Sequence, residues 1–255
     1  MAYYSKAMVL KKDLPSAQGN IGRLLYDKKD YDGAKYYLRN LLEAHPENIQ
    51  ALLILEQVYK QTNEFDSAVY YYTRSLQKGV VNSTIYNNLG RLYFSDEKFD
   101  EAARWYNMAI QHDPRNPVGY YNVGSVFANL QHFDSAAVMY KKALALDPKY
   151  VTANLNLGVA YHELKQYDSA IVYTTKAILI NPKDNLPYYY LAQSFAKNNK
   201  PEDALRYLEQ ALQRGYTLYE YIVIDPDFDS IRKYPAYKAM MKKYFPKKYK
   251  EEDDQ

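Results

Sequence analysis

Between residues 117 and 150 the apolar positions fall into two runs with helical spacing. Tyr120, Val123, Gly124 and Phe127 stand at i, i+3, i+4 and i+7, which places them on one face of a helix. After a break at Leu130-Gln131-His132, a second apolar face is marked by Phe133, Ala136, Ala137, Tyr140, Ala143 and Leu144. Asp147-Pro148 ends it, because proline cannot continue a helix and the residue before it avoids the α region. The pattern predicts a helix-turn-helix hairpin with one sticky side per helix. Alone, such a hairpin could not bury those sides.

The same pattern recurs every 34 residues with no insertion. The slot of Gly124 holds Gly22, Glu56, Gly90, Gly124, Gly158 and Ala192. The slot three residues on holds Leu25, Tyr59, Tyr93, Phe127, Tyr161 and Phe195. The small slot that opens the second helix holds Ala34, Ala68, Ala102, Ala136, Ala170 and Ala204, and the large slot after it Leu38, Tyr72, Tyr106, Tyr140, Thr174 and Leu208. The terminating proline recurs as Pro46, Pro114, Pro148 and Pro182, and is replaced by Val80 and Tyr216. Recurrence at a fixed period predicts an array in which each hairpin packs on its neighbours. A glycine or alanine at one contact lets two helix axes approach, and aromatics fill the wedges beside it. Tyr59, Tyr93, Tyr106, Tyr120, Tyr140, Tyr161 and Tyr167 are therefore expected in packing rather than on a stacking platform for bases.

These slots resemble the tetratricopeptide repeat. Residues 121–127 (YNVGSVF) with Ala136, Tyr140, Ala143 and Pro148, and residues 155–161 (LNLGVAY) with Ala170, Ala177 and Pro182, are the closest matches. The resemblance implies an all-α fold, a right-handed α-solenoid with a concave and a convex surface. The expected repeats are residues 15–48, 49–82, 83–116, 117–150, 151–184 and 185–218. Two depart from the pattern. One carries Glu56 at the glycine slot and Ser75 at a usual alanine. The other begins its second helix with Pro201, which a first helical turn tolerates.

Residues 1–14 align with a second helix that lacks its first. This half-repeat is read either as a cap or as the edge of a longer array, and the second reading is favoured because Tyr4, Met8 and Leu10 do not make the polar outer face of a terminal repeat. Residues 219–255 read as a capping segment with a charged tail. Leu218, Tyr221 and Ile222 suggest a short helix, Asp225-Pro226-Asp227 a turn, and Tyr237, Met240, Met241 and Tyr244 a last amphipathic helix. It resembles the trailing segment of bacterial-type repeat arrays.

Composition narrows the function. The 255 residues carry 33 basic and 30 acidic side chains, a net charge of +3, too balanced to make nucleic acid or an anionic membrane the expected partner. With no cysteine, thiol catalysis and zinc-cysteine sites are excluded. Neither a membrane-spanning run nor a signal peptide is evident, so the compartment is open: cytoplasmic by default, periplasmic if the chain belongs to a membrane protein. The glycines lie singly inside helices, and His45, His112, His132 and His162 occupy different repeat slots without metal-ligand spacing. No catalytic constellation, cofactor or metal site is expected. Asp66, Asp100, Asp134 and Asp168 are expected to cap second helices.

Function is then expected on the concave face of the first helices. In the central repeat this face carries Val118, Tyr121, Asn122, Ser125 and Asn129. The slot of Asn122 holds Asn20, Ile54, Asn88, Asn122, Asn156 and Tyr190. A primary amide both donates and accepts, so a row of them suits the peptide groups of an extended segment. The row is similar to the asparagine ladder of O-linked N-acetylglucosamine transferase, with breaks at Ile54 and Tyr190. Arg91 beside Asn87 and Asn88 suits an acidic group. The paired positions do not match the carboxylate clamp of repeats that bind chaperone tails. The sequence therefore points to a non-enzymatic scaffold for a partner peptide. Asn20, Asn88, Arg91, Tyr121, Asn122, Ser125, Asn129 and Asn156 are its groove residues. The alternatives are a targeting domain of a larger, membrane-anchored enzyme such as a glycosyltransferase, and self-assembly through the N-terminal helix as a homo-oligomer.

Overall fold

A computed structural model describes residues 15–248. The N-terminal half-repeat, with Tyr4, Met8 and Leu10, and the acidic end of the tail lie outside the described residues. Among the described residues the fold is all-α, an α-solenoid of consecutive hairpins, and the chain divides into two compact units at Pro114/Arg115. Unit 1 contains α1 (Pro15–Asp27), α2 (Tyr31–Ala44), α3 (Ile49–Thr62), α4 (Phe65–Gln77), α5 (Ser83–Ser95) and α6 (Phe99–His112). Unit 2 contains α7 (Pro117–Asn129), α8 (Phe133–Leu146), α9 (Val151–Glu163), α10 (Tyr167–Ile180), α11 (Leu186–Lys197) and α12 (Pro201–Gln213). It continues through α13 (Tyr219–Ile224), a 3₁₀ turn at Pro226–Phe228, α14 (Asp229–Arg232) and α15 (Pro235–Tyr244).

The close approach within a hairpin follows from the glycine slot. A Cβ built on Gly124 would stand 2.7 Å from Cε1 of Tyr140 and 3.3 Å from the Ala136 carbonyl oxygen. The alanines of the small slot are buried in all six second helices, and Tyr59, Tyr106, Tyr140 and Tyr161 are buried in the wedges. Tyr93, Tyr120 and Tyr167 are half-buried.

The turns between first and second helices repeat the same device. Lys29, Asn63, Glu97, Gln131, Lys165 and Asn199 all have φ between 56° and 62°, the left-handed region, and all are exposed. In each turn the amide of the next residue bonds back to the carbonyl of the aromatic slot, as in His132 N to Phe127 O at 2.8 Å and Gln166 N to Tyr161 O at 2.8 Å. This six-to-one bond is a Schellman closure, which normally uses glycine. The two loops without proline use Gly79 and Gly215, at φ 84° and 89°, for the same closure at the ends of α4 and α12. Glu97 bears the left-handed penalty without a compensating amide side chain. Glu97→Gly is expected to raise stability by about 0.5–1 kcal/mol, net of glycine's greater freedom when unfolded. The urea midpoint measures it, and an unchanged or lower midpoint would refute the assignment of strain.

The helix starts carry a correction. Asp66, Asp100, Asp134 and Asp168 lie in first turns, where they face the positive helix end, but they do not cap. The cap positions there are Glu64, Lys98, His132 and Gln166, none with a side-chain cap bond. Side-chain caps sit instead on first helices: Asn48, Asn82 and Asn116 each accept from an amide of the following turn, and Asp30 does so for α2. At each of these positions the backbone amide closes the preceding helix, and Asp30 does this too while its side chain caps the second helix α2. The difference therefore lies in the short aspartate side chain, which suits a cap as Glu, Lys, His and Gln do not.

The end of unit 2 also differs in its facing. In α13 it is Tyr219 and Ile222 that are buried, while Leu218 and Tyr221 point to solvent. In α15 Tyr237, Met240 and Met241 are buried and Tyr244 is half-buried.

Candidate functional site

In unit 1 the candidate residues gather round one buried charge. Glu56 takes the glycine slot of α3 and is 2% exposed. Its Oε2 accepts from the Tyr72 hydroxyl at 2.6 Å, and its Oε1 from Arg91 Nη2 at 2.5 Å. Arg91 Nη2 also donates to Asn88 Oδ1 at 3.3 Å. Burial first, and then the Glu56 charge, hold the Tyr72 hydroxyl protonated far above its ordinary range. A carboxylate-bearing side chain where the other repeats have a hydrogen or, at Ala192, a methyl group keeps α3 and α4 apart. These two helices come within close range over a shorter stretch than the helices of any other repeat. The space beside Glu56 is a cleft of about 470 Å³, lined by Tyr59, Lys60, Phe65, Arg91, Leu92 and Phe94 among others. Asn20 lies apart from it, exposed, in a shallower cleft of about 340 Å³ with Arg23, Asn48, Gln50 and Ile54.

In unit 2 the candidate residues of α7 are tied into their surroundings. The Tyr121 ring packs on Tyr140 and Tyr150 at 5.7 and 5.0 Å, and its hydroxyl accepts from Asn156 Nδ2 at 3.2 Å. Ser125 donates to the Tyr121 carbonyl and accepts from the Tyr140 hydroxyl at 3.4 Å. Exposed Asn129 donates to the Ser125 carbonyl at 2.9 Å. Asn122 is half-buried on the same helix. Of the candidates, the structure brings together Asn88 with Arg91, and Tyr121 with Asn156 and Ser125, the last also bonded by Asn129.

The same face of α11 is occupied by the chain itself, which the sequence did not reveal. Tyr189, Gln193 and Lys197 hold the slots of Tyr121, Ser125 and Asn129. Asp225 Oδ2 accepts from the Tyr189 hydroxyl at 2.5 Å and from Gln193 Nε2 at 2.7 Å, while its Oδ1 accepts from the Asp227 amide at 2.9 Å. Asp227 meets His162 Nε2 at 2.9 Å and Lys197 Nζ at 3.5 Å. Phe228 is fully buried, edge-on to Tyr189 at 5.5 Å. Burial alone would raise the Asp227 pKa, but the hydrogen bonds and charges of His162 and Lys197 outweigh it and hold the carboxyl below its usual range. Ser194 lies 3.1 Å from His162 Nδ1, so serine, histidine and aspartate stand in one line. Ser194 is 1% exposed and donates to the Tyr190 carbonyl, so its hydroxyl is a strut and not a presented nucleophile. His162 looked isolated in sequence because no other repeat has histidine in its slot. The buried pair Phe228 and Ile231, three residues apart, was the available signal for this contact.

Among the described residues, no group of three or more histidines and carboxylates is placed to hold a metal. No described helix is long and apolar enough to cross a membrane.

Comparison with known proteins agrees with the repeat geometry. Matches described as tetratricopeptide repeat cover residues 20–79, 130–195 and 188–215, and one described as TPR repeat covers residues 90–131. No curated protein matches the chain. Among solved structures, PilF of Pseudomonas aeruginosa is 17% identical with a TM-score of 0.65, covering 94% of this chain and 96% of that one. A tetratricopeptide repeat protein of Parabacteroides merdae is 20% identical with a TM-score of 0.66, covering 93% and 96%. YrrB, described as a TPR protein with an unusual peptide-binding site, is 22% identical with a TM-score of 0.52, covering 72% and 95%. These likenesses concern the fold. Repeat matches laid almost end to end from residue 20 to residue 215, over hairpins that close through the glycine and alanine slots, place the chain in the tetratricopeptide repeat family.

Proposed function

We propose that this chain is a non-enzymatic scaffold that holds a peptide segment of a partner protein on the exposed faces of its first helices. The observation that carries this reading is intramolecular. Residues 225–228 of the chain lie on side chains of α9 and α11, held by a tyrosine hydroxyl, an amide, an imidazole and an ammonium group. The slots of Tyr189, Gln193 and Lys197 are those that in other repeats carry Tyr121, Ser125, Asn129, Arg91 and Asn87. A face that holds one peptide segment by side-chain hydrogen bonds has the chemistry to hold another. The amides of Asn122 and Asn156, on successive repeats of unit 2, would pair with backbone groups of a segment, and in unit 1 Asn88 offers an amide and Arg91 a partner for an acidic side chain. YrrB's peptide-binding site is in keeping with this use of the fold.

Replacing Asn88, Asn122 and Asn156 together by alanine is expected to weaken partner capture at least about tenfold, each lost amide pair contributing on the order of 0.5–1.5 kcal/mol. Helical content by circular dichroism should stay unchanged. Undiminished capture by the folded triple variant would remove the amide row from the reading.

A further inference from the structure

The seat of residues 225–228 has a counterpart three repeat lengths earlier in the chain. There Lys60 holds the slot of His162, Arg91 that of Gln193, Asn87 that of Tyr189, and Ser95 that of Lys197. Of these, Lys60, Arg91 and Ser95 line the cleft of about 470 Å³ opened by Glu56. So the place where α9 and α11 receive the chain's own acidic segment is, between α3 and α5, an open pocket. Relative to the seat at α9 and α11, Lys60 and Arg91 replace His162 and Gln193, Ser95 replaces Lys197, and the cleft also carries Glu56 and Asp96, the latter paired with Lys98 Nζ at 2.7 Å. Lys60 is exposed and forms no ion pair among the described residues. Arg91 is 44% exposed and uses only Nη2 on Glu56 and Asn88. Both Glu56 oxygens are already engaged, by Tyr72 and Arg91, so its charge is offset inside the protein. Tyr59, Phe65, Leu92 and Phe94 supply apolar and aromatic wall, and Asn63 and Asp96 polar wall.

We propose that the cleft between α3, α4 and α5 is the docking pocket for an acidic segment of a partner protein, an aspartate or glutamate beside an aromatic residue. It is held as Asp225-Pro226-Asp227-Phe228 is held at α9 and α11. The carboxylate meets Lys60 and the unused guanidinium nitrogens of Arg91, and the aromatic ring enters the space that Glu56 keeps open. Glu56 thereby acquires a role. A buried ion pair is a poor source of stability, but here it prevents the hairpin from closing as glycine would let it close. The proposal rests on the peptide-binding reading and narrows it to one pocket and one ligand chemistry.

The probe is the chain's own segment, a fluorescein-labelled peptide of residues 223–230 (VIDPDFDS), titrated with the whole protein by fluorescence anisotropy. Saturable binding is expected, weakening with added salt. Lys60→Glu should lower affinity at least about fivefold, by reversing the charge that meets the ligand. The same peptide with asparagine for Asp225 and Asp227 should bind at least about fivefold more weakly. Lys60 is exposed, so circular dichroism should show that variant folded. The proposal is overturned by equal binding of wild type and Lys60→Glu, by equal binding of the asparagine peptide, or by no saturable binding at millimolar protein. Binding insensitive to Lys60 would mean that the probe exchanges with residues 225–228 at α11. A protein ending at Lys248 that binds the probe more tightly would identify the chain's own acidic tail as the occupant, and would equally overturn it. Loss of this pocket leaves the broader reading standing if the triple asparagine variant still loses its partner. If that variant keeps its partner while the probe depends on Lys60, the pocket stands and the amide row falls.

Discussion

Phe228→Ala is expected to release the C-terminal segment of unit 2 from α11. Phe228 is fully buried against Tyr189 and lies in the cluster that includes Tyr216, Ile222, Ile231 and Met241. Removing a buried phenylalanine ring costs about 3–5 kcal/mol, as lost transfer energy plus an unfilled cavity. Asp225 and Asp227 carry the polar attachment to α9 and α11, while Ile222, Ile231, Tyr237, Met240 and Met241 are buried in the same cluster and Lys243 and Tyr244 bond to Glu209. Loss of the ring loosens the contact with α11 within that cluster, so the cost is expected first as local unfolding of the segment. Limited proteolysis should cut between α13 and α15 at a rate raised by on the order of a hundredfold or more, the factor that ~3 kcal/mol allows. α7 to α10 should stay protected. A cleavage rate equal to that of the unaltered chain would show that the segment is held by something other than this ring.

The second large effect is expected at Arg91→Ala. The substitution leaves the Glu56 carboxylate buried with only the Tyr72 hydroxyl for company. Breaking a buried pair by removing one partner typically costs about 3–5 kcal/mol, because a charge is left without compensation. Arg91 is partly solvated, so about 2–3 kcal/mol is expected here. The cost belongs to the orphaned charge and not to the missing arginine. Glu56→Gln on the Arg91→Ala background should therefore recover most of it, a coupling that a double-mutant cycle in urea reads directly. Simple additivity of the two substitutions would show that Glu56 is not the group that suffers.

How much of this was legible in the chain depended on periodicity. The glycine, alanine and aromatic slots repeat, so a single hairpin read correctly at residues 117–150 could be checked at every other copy. Glu56 was visible as a departure, but its partners were not. Tyr72 and Arg91 are ordinary members of their own slots, and only coordinates bring them to one carboxylate. The capping segment was harder. Asp225 reads as a turn residue, since aspartate before proline is common in turns, and its real partners lie 32 and 36 residues away on α11. Side chains that meet once in a chain leave no period to detect. The missing side-chain caps of α4, α6, α8 and α10 were legible, since Glu64, Lys98, His132 and Gln166 are not the short side chains that cap well.

The turns at Lys29, Asn63, Glu97, Gln131, Lys165 and Asn199 share one backbone conformation while sharing no side-chain type suited to it throughout. Their geometry is thus a property of spacing, imposed by the helices on either side. Each turn presents the same hydrogen-bonded seam to the chain before and after it. A block cut from one such seam to the next could be deleted or duplicated, and the junction would be chemically indistinguishable from those already present. What the chain inherits at these points is a length, which leaves six exposed residues free to change while the register of the array is copied intact.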